Sequence, residues 1–161
     1  MCDSQITTVV SVVGGVVGLI ALTVAWSQMR IASAKTKLDL YNKRFSVYLA
    51  ALEFQQCAGD LTRDDIKEKF DKLTQAYRES LFLFDGKDGI HERMEKIQKA
   101  GHIILVHHYA KLDPNSAASI LEKYQPPAYD AHFGMGEDIL ALEGQLKQYL
   151  SFHNVKGWTI F

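Results

Sequence analysis

Residues Ile6 to Trp26 form a run of 21 positions without one charged side chain. At about 1.5 Å rise per residue a helix of that length spans roughly 30 Å, the hydrocarbon thickness of a bilayer. Only the hydroxyls of Thr7, Thr8, Ser11 and Thr23 interrupt the run. A helix satisfies such groups against its own carbonyls, so the run is expected to be a transmembrane helix.

The flanks predict its orientation. The five residues before the run include no Lys or Arg, whereas Arg30, Lys35, Lys37, Lys43 and Arg44 follow it against one acid, Asp39. Cationic flanks resist translocation, which places the N-terminus outside and the rest in the cytoplasm. Trp26, Arg30, Lys35 and Lys37 are the expected lipid headgroup contacts. The rival reading is a cleaved signal peptide, with Ala32-Ser33-Ala34 as its small-x-small site. Against it stand the uncharged start and an apolar stretch longer than the roughly 7–15 residues of a signal core.

Ser11, Gly14, Gly18, Ala21 and Ala25 recur at three and four and share one helix face. Small residues let two backbones approach closely in lipid, so Gly14, Gly18, Ala21 and Ala25 are candidates for self-association and a homodimer. The plain alternative is that Gly and Ala are common in such helices.

Outside the anchor the chain of 161 residues leaves roughly 125, enough for one compact domain with its own core. The charges are mixed, the formal net charge is -1, and no basic, aromatic-interleaved face points to nucleic acid. The two cysteines, Cys2 and Cys57, fall on opposite sides of the membrane on this topology and cannot bridge within one chain. Cys57 is then a reduced thiol.

The apolar period after the anchor is helical. Four stripes are expected to face a common core: Leu38, Tyr41, Phe45, Tyr48 and Leu52; Ile66, Phe70, Leu73, Tyr77, Leu81 and Phe84; Ile90, Met94, Ile97, Gly101, Ile104 and His108; Ile139, Leu142, Leu146, Leu150 and His153. Gly59-Asp60 ends the first helix, Thr62 is a candidate N-cap of the second, and Asp85 to Gly89 is a turn. Asp113-Pro114 opens a short helix to Tyr124, Pro126-Pro127 stops it, and a loop with aromatic packing from Tyr129 and Phe133 runs to Gly136. The fold expected is all-α: a transmembrane helix, then a cytoplasmic antiparallel helical bundle. The segments are 1–29 (anchor), 30–58 (juxtamembrane helix running unbroken to about Gln56) and 59–161 (the remaining helical domain).

Signals for chemistry are weak. His91-Glu92-Arg93-Met94-Glu95 starts like the zinc motif HExxH but ends in Glu, which removes one imidazole. A charged, exposed first helical turn is the better account. His107 and His108 point about 100° apart on a regular helix and cannot share one metal. His108, on the apolar stripe, reads as a hydrogen-bonded core histidine. Asp85 to Asp88 lacks the ligand pattern of a calcium loop. No cofactor or metal is expected. The tail Thr159-Ile160-Phe161 has the apolar character of a groove-docking motif.

Lys37-Leu38-Asp39-Leu40-Tyr41-Asn42-Lys43-Arg44-Phe45-Ser46-Val47-Tyr48-Leu49-Ala50-Ala51-Leu52 resembles a KLDLYxKRFxVYxAL-like helix in uncharacterised bacterial single-span membrane proteins. Arg78 to Phe84 and the turn after it are similar to a second block there. The resemblance implies a bacterial inner-membrane location and carries no activity. The residues predict a membrane-anchored interaction module with an unknown protein partner. Two alternatives stand beside it: an effector acting through span association, and an enzyme built on His102, His107 and His108.

Overall fold

A computed structural model describes residues 2–58, 63–113 and 118–151. Among the described residues the protein is all-helical: α1 (Cys2–Cys57), α2 (Arg63–Leu83), α3 (Ile90–Leu112) and α4 (Ala118–Leu150), with one 3-10 turn at Gly86–Asp88 and no strand. The chain divides into two compact units, Met1–Leu40 and Tyr41–Phe161. The first helix is unbroken from Cys2 to Cys57, past the Gln56 expected from its pattern. The candidate cap Thr62, the break Gly59-Asp60, Pro114, His153 and the tail Thr159-Ile160-Phe161 lie outside the described residues.

The second unit is a helical bundle around one hydrophobic core. That core takes Val47, Ala51, Phe54 and Ala58 from the α1 side, Ile66, Leu73 and Ala76 from α2, and Ile90, Met94, Ile97 and Ile104 from α3. Met135, Ile139, Leu142 and Leu146 of α4 complete it. The third and fourth stripes match expectation for Ile90 to Ile104 and for Ile139 to Leu146. The first does not. Its buried face is Val47, Ala51, Phe54 and Ala58, while Leu38 and Phe45 are exposed and Tyr41, Tyr48 and Leu52 only half-buried. The aromatic stripe instead packs along its own helix, Tyr41 on Phe45 at 6.3 Å and Phe45 on Tyr48 at 6.1 Å between ring centroids. Alanines at 51 and 58 flank Phe54 and let neighbouring helices come close, which the larger rings would prevent. In α2, Leu81 is exposed and Ser80 takes the buried place.

The loop expected between Pro126 and Gly136 is helix. Both prolines sit inside α4. Each removes the donor that would reach four residues back, to the carbonyls of Glu122 and Lys123. Glu122, Lys123, Pro126 and Pro127 are all exposed, so the loss falls at the surface of the helix. Burial of Ala128, Met135, Ile139, Leu142 and Leu146 offsets the loss. Tyr129 and Phe133 do pack together, at 4.7 Å, but as neighbours one helical turn apart.

Three helices pack closely at Gly101. A Cβ there would lie 3.0 Å from Leu73 Cδ2, 3.1 Å from Phe54 Cε1 and 3.4 Å from Phe70 Cε2. Phe54 and Phe70 already meet edge to face at 5.8 Å. Gly144, by contrast, has open space around its absent Cβ. Gly101→Ala should therefore lose about 1 kcal/mol net, because overpacking of ~1–3 kcal/mol outweighs the gain in helix propensity. Gly144→Ala should gain up to about 1 kcal/mol. Urea unfolding of both variants checks the opposite signs; equal shifts would contradict the close approach.

Candidate functional site

Two regions carry the candidate residues, one in each unit. In the first unit every described side chain from Val13 to Leu40 is exposed. The large apolar ones include Val17, Leu19, Ile20, Leu22, Trp26, Met29 and Ile31, and Trp26 is 66 % exposed. Soluble proteins rarely leave so long an apolar surface in contact with water. This helix is long and apolar enough to cross a membrane. Gly14 and Gly18 face open space, with nothing within 4 Å of an added Cβ, and Ala21 and Ala25 are exposed with them. Arg30, Lys35 and Lys37 are exposed beyond Trp26. Thr23 donates its hydroxyl to the Ile20 carbonyl at 2.7 Å, and Thr36 to Ala32 at 3.0 Å. The pairing of Thr23, within the apolar run, is what a hydroxyl in hydrocarbon would require.

In the second unit the turn after α2 organises a polar cluster. Gly89 has φ +68°, a left-handed conformation that favours glycine and admits the chain into α3. Asp85 caps the 3-10 turn by accepting from the Lys87 N–H at 3.2 Å. The Asp88 carbonyl accepts from Gln145 Nε2 at 3.0 Å, and the Asp88 carboxylate accepts from the Tyr149 hydroxyl. The same hydroxyl accepts from the Asp85 N–H at 3.2 Å. Arg44 Nε donates to the Leu83 carbonyl at 3.0 Å, and its guanidinium lies 4.5 Å from the Tyr149 ring centroid. Arg44, grouped by sequence with the membrane-flanking cations, is thus a packing residue of this cluster. Its stacking and hydrogen bond explain why a planar guanidinium is used there.

The HExxH-like turn is likewise structural, and less exposed than expected. Ser80, fully buried, donates to the Tyr77 carbonyl at 2.6 Å. Ser80 Oγ also lies 2.9 Å from His91 Nδ1, a hydrogen bond whose direction follows the imidazole tautomer. His91 stacks on Tyr77 at 4.9 Å, and Arg93 pairs with Asp138 at 2.5 Å. Glu92 is exposed and Glu95 pairs with Lys99 at 2.7 Å. His102 is exposed beside Phe70, while His107 and His108 are half-buried past the last core residues of α3. His108 is therefore at the margin of the core, where the stripe leaves it. Among the described residues no group of three or more His, Cys, Asp or Glu is placed to hold a metal ion.

Sequence reasoning did not find the groove of about 730 Å³ between α1 and α4, walled by Phe45, Tyr48, Leu140 and Leu150 with Glu143 and Lys147 at its edge. Burial, then the neighbouring Glu143 carboxylate, raises the Tyr48 phenol above its ordinary value. The failed expectation of burial for Phe45 is the one sequence signal that bears on it. Matches were sought among protein-family models, curated proteins and solved structures, and none was found.

Tyr149 gives the cluster a testable pH signature. Burial, and next the hydrogen bond to Asp88, raise its phenol above the ordinary value. The neutral phenol therefore contributes stability that is fully present below pH ~10 and lost as pH rises through the folded value. Tyr149→Phe should cost about 1 kcal/mol at pH 7 by removing both hydrogen bonds. The gap between the two proteins should narrow above pH ~10. Urea unfolding at both pH values is the check, and a gap that widens would contradict it.

Proposed function

We propose that this chain is a membrane-anchored helical interaction module with no catalytic role of its own. The anchor is the apolar N-terminal stretch, the domain 41–151 is a cytoplasmic antiparallel bundle, and the N-terminus lies outside. The observation that carries the reading is the uninterrupted exposure of apolar side chains from Val13 to Ile31. Lipid is the solvent that removes that cost, since burying each large aliphatic side chain is worth ~1.5–3 kcal/mol. The excess of Lys and Arg after Trp26 supports the orientation. Trp26, Arg30, Lys35 and Lys37 meet the headgroups, Trp26 at the apolar boundary and the cations at the phosphates. The resemblance of 37–52 to single-span bacterial proteins supports an inner-membrane location.

The open face of Gly14, Gly18, Ala21 and Ala25 supports a homodimer through the span. The bundle then displays its surface, in two copies, to a protein partner. Ser80 and His91 stabilise the bundle, consistent with a binding rather than a catalytic role.

Gly18→Ile should lower self-association several-fold in a membrane dimerisation reporter, because a branched side chain would separate the backbones. An unchanged signal would remove the pairing. For the orientation, a membrane-impermeant maleimide applied to intact cells should label Cys2. Lys96→Cys, at an exposed position on α3, should stay unlabelled until the cells are permeabilised. Labelling of Lys96→Cys in intact cells would reverse the topology.

A further inference from the structure

The last turns of α3 and the early part of α4 enclose, with Ala58, a pocket of about 290 Å³. Its floor is apolar: Ala58, Ile104 and Ala128 are each buried. Its rim carries His107, His108 and Lys111 from α3, and Gln125, Tyr129 and His132 from α4. His107 and Lys111 lie one helical turn apart, as do Gln125 and Tyr129, so two rows of polar side chains face each other across the apolar floor.

Each rim side chain can donate a hydrogen bond, and among the described residues no carboxylate lines the pocket. None of the described acids of α3 or α4 is in the lining, those nearest to it in sequence being Asp113, Glu122 and Asp130, all exposed. Among the described residues the α1 side supplies Ala58. Lys111 gives the rim a positive charge. A cation would meet repulsion here, and the described histidines do not gather tightly enough for a metal ion. A fully apolar molecule would leave the rim donors without acceptors. The complementary ligand has a doubly charged oxyanion, to accept from several donors at once, and a small carbon body for the floor. The volume sits at the low end for ligand pockets, roughly 300 Å³, which limits the ligand's size.

We propose that this pocket binds a small phosphate monoester, its phosphoryl oxygens held by His107, Lys111, Gln125 and His132 and its carbon portion resting on Ile104 and Ala128. A soluble phosphorylated metabolite and a phosphatidic acid headgroup share that chemistry. The site is assembled within the second unit and does not depend on the membrane reading.

The test uses the full chain in nanodiscs and follows the histidine ring resonances by NMR. Phenyl phosphate, added to protein in phosphatidylcholine nanodiscs, should shift His107, His108 and His132 saturably and leave His91 and His102 in place, whereas phenol should shift none. Saturation there identifies a soluble ligand. The same shifts on changing only to phosphatidic acid nanodiscs identify a headgroup. Affinity should fall at least about tenfold in the double variant His107→Gln, His132→Gln, since a hydrogen bond to a charged group is worth that much or more. Lys111→Gln, at an exposed side chain, is a second variant in case the first fails to fold, and should weaken binding in the same direction. No shift with either probe, or shifts of unchanged affinity in both variants, would overturn the proposal.

Discussion

The bundle depends on how near three helices come at Gly101. A missing side chain in α3 admits the ring of Phe54 and the branch of Leu73 to 3.1 and 3.0 Å from where a Cβ would stand. That contact dictates much else. Phe54 can point inward there only if its neighbours one turn away are small, and Ala51 and Ala58 are. With that face of the helix turned to the core, the bulky series Tyr41, Phe45 and Tyr48 is rotated toward the surface, where it stacks on itself and walls a groove. The burial of one phenylalanine and the exposure of another are two sides of one packing decision.

At the other end of the bundle the constraint is polar. The turn from Asp85 to Gly89 would be an ordinary exposed connection if nothing held it. Gln145 and Tyr149 of α4 reach its backbone and its aspartate, and Arg44 covers the Tyr149 ring while binding the end of α2. Contacts from α4 thus hold the five-residue turn directly, and Arg44 of α1 braces the Tyr149 ring behind them. The left-handed Gly89 lets that turn enter α3 without strain. None of these partners is close in sequence, so local propensity says that a turn exists and nothing of what clamps it.

This division marks how far the sequence could be read. Helical class, the turn at Asp85 to Gly89 and the core faces of α3 and of the second half of α4 were legible, because each is written in a local period of three and four. The face of α1 was not, and that of α2 departed at Leu81, while Ile66 and Leu73 are buried as expected. Hydrophobicity ranks Tyr41, Phe45 and Leu81 above Ala51, Ala76 and Ser80, whereas helix contact rewards the smaller side chains. Pro126-Pro127 misled for a related reason: proline's local cost is large, and only the tertiary burial of the residues after it reverses the outcome. Of the candidate residues, Gly14, Gly18 and Trp26 are exposed, while Arg44 left the flanking cations for the bundle. The pocket between α3 and α4 was invisible because its histidines and Gln125 come from two helices.

The same two prolines leave a mark on how α4 opens. Hydrogen bonds that tie one helical turn to the next are interrupted where Pro126 and Pro127 carry no N–H, so unwinding that begins at Ala118 meets a ready stopping point before Ala128. Residues on either side of that gap belong to different cooperative segments. The early segment can fray for the cost of its own few bonds, while the later one opens only with the core around Met135 and Leu142. In native-state hydrogen exchange the helix would register as two elements with separate protection, joined by a continuous backbone.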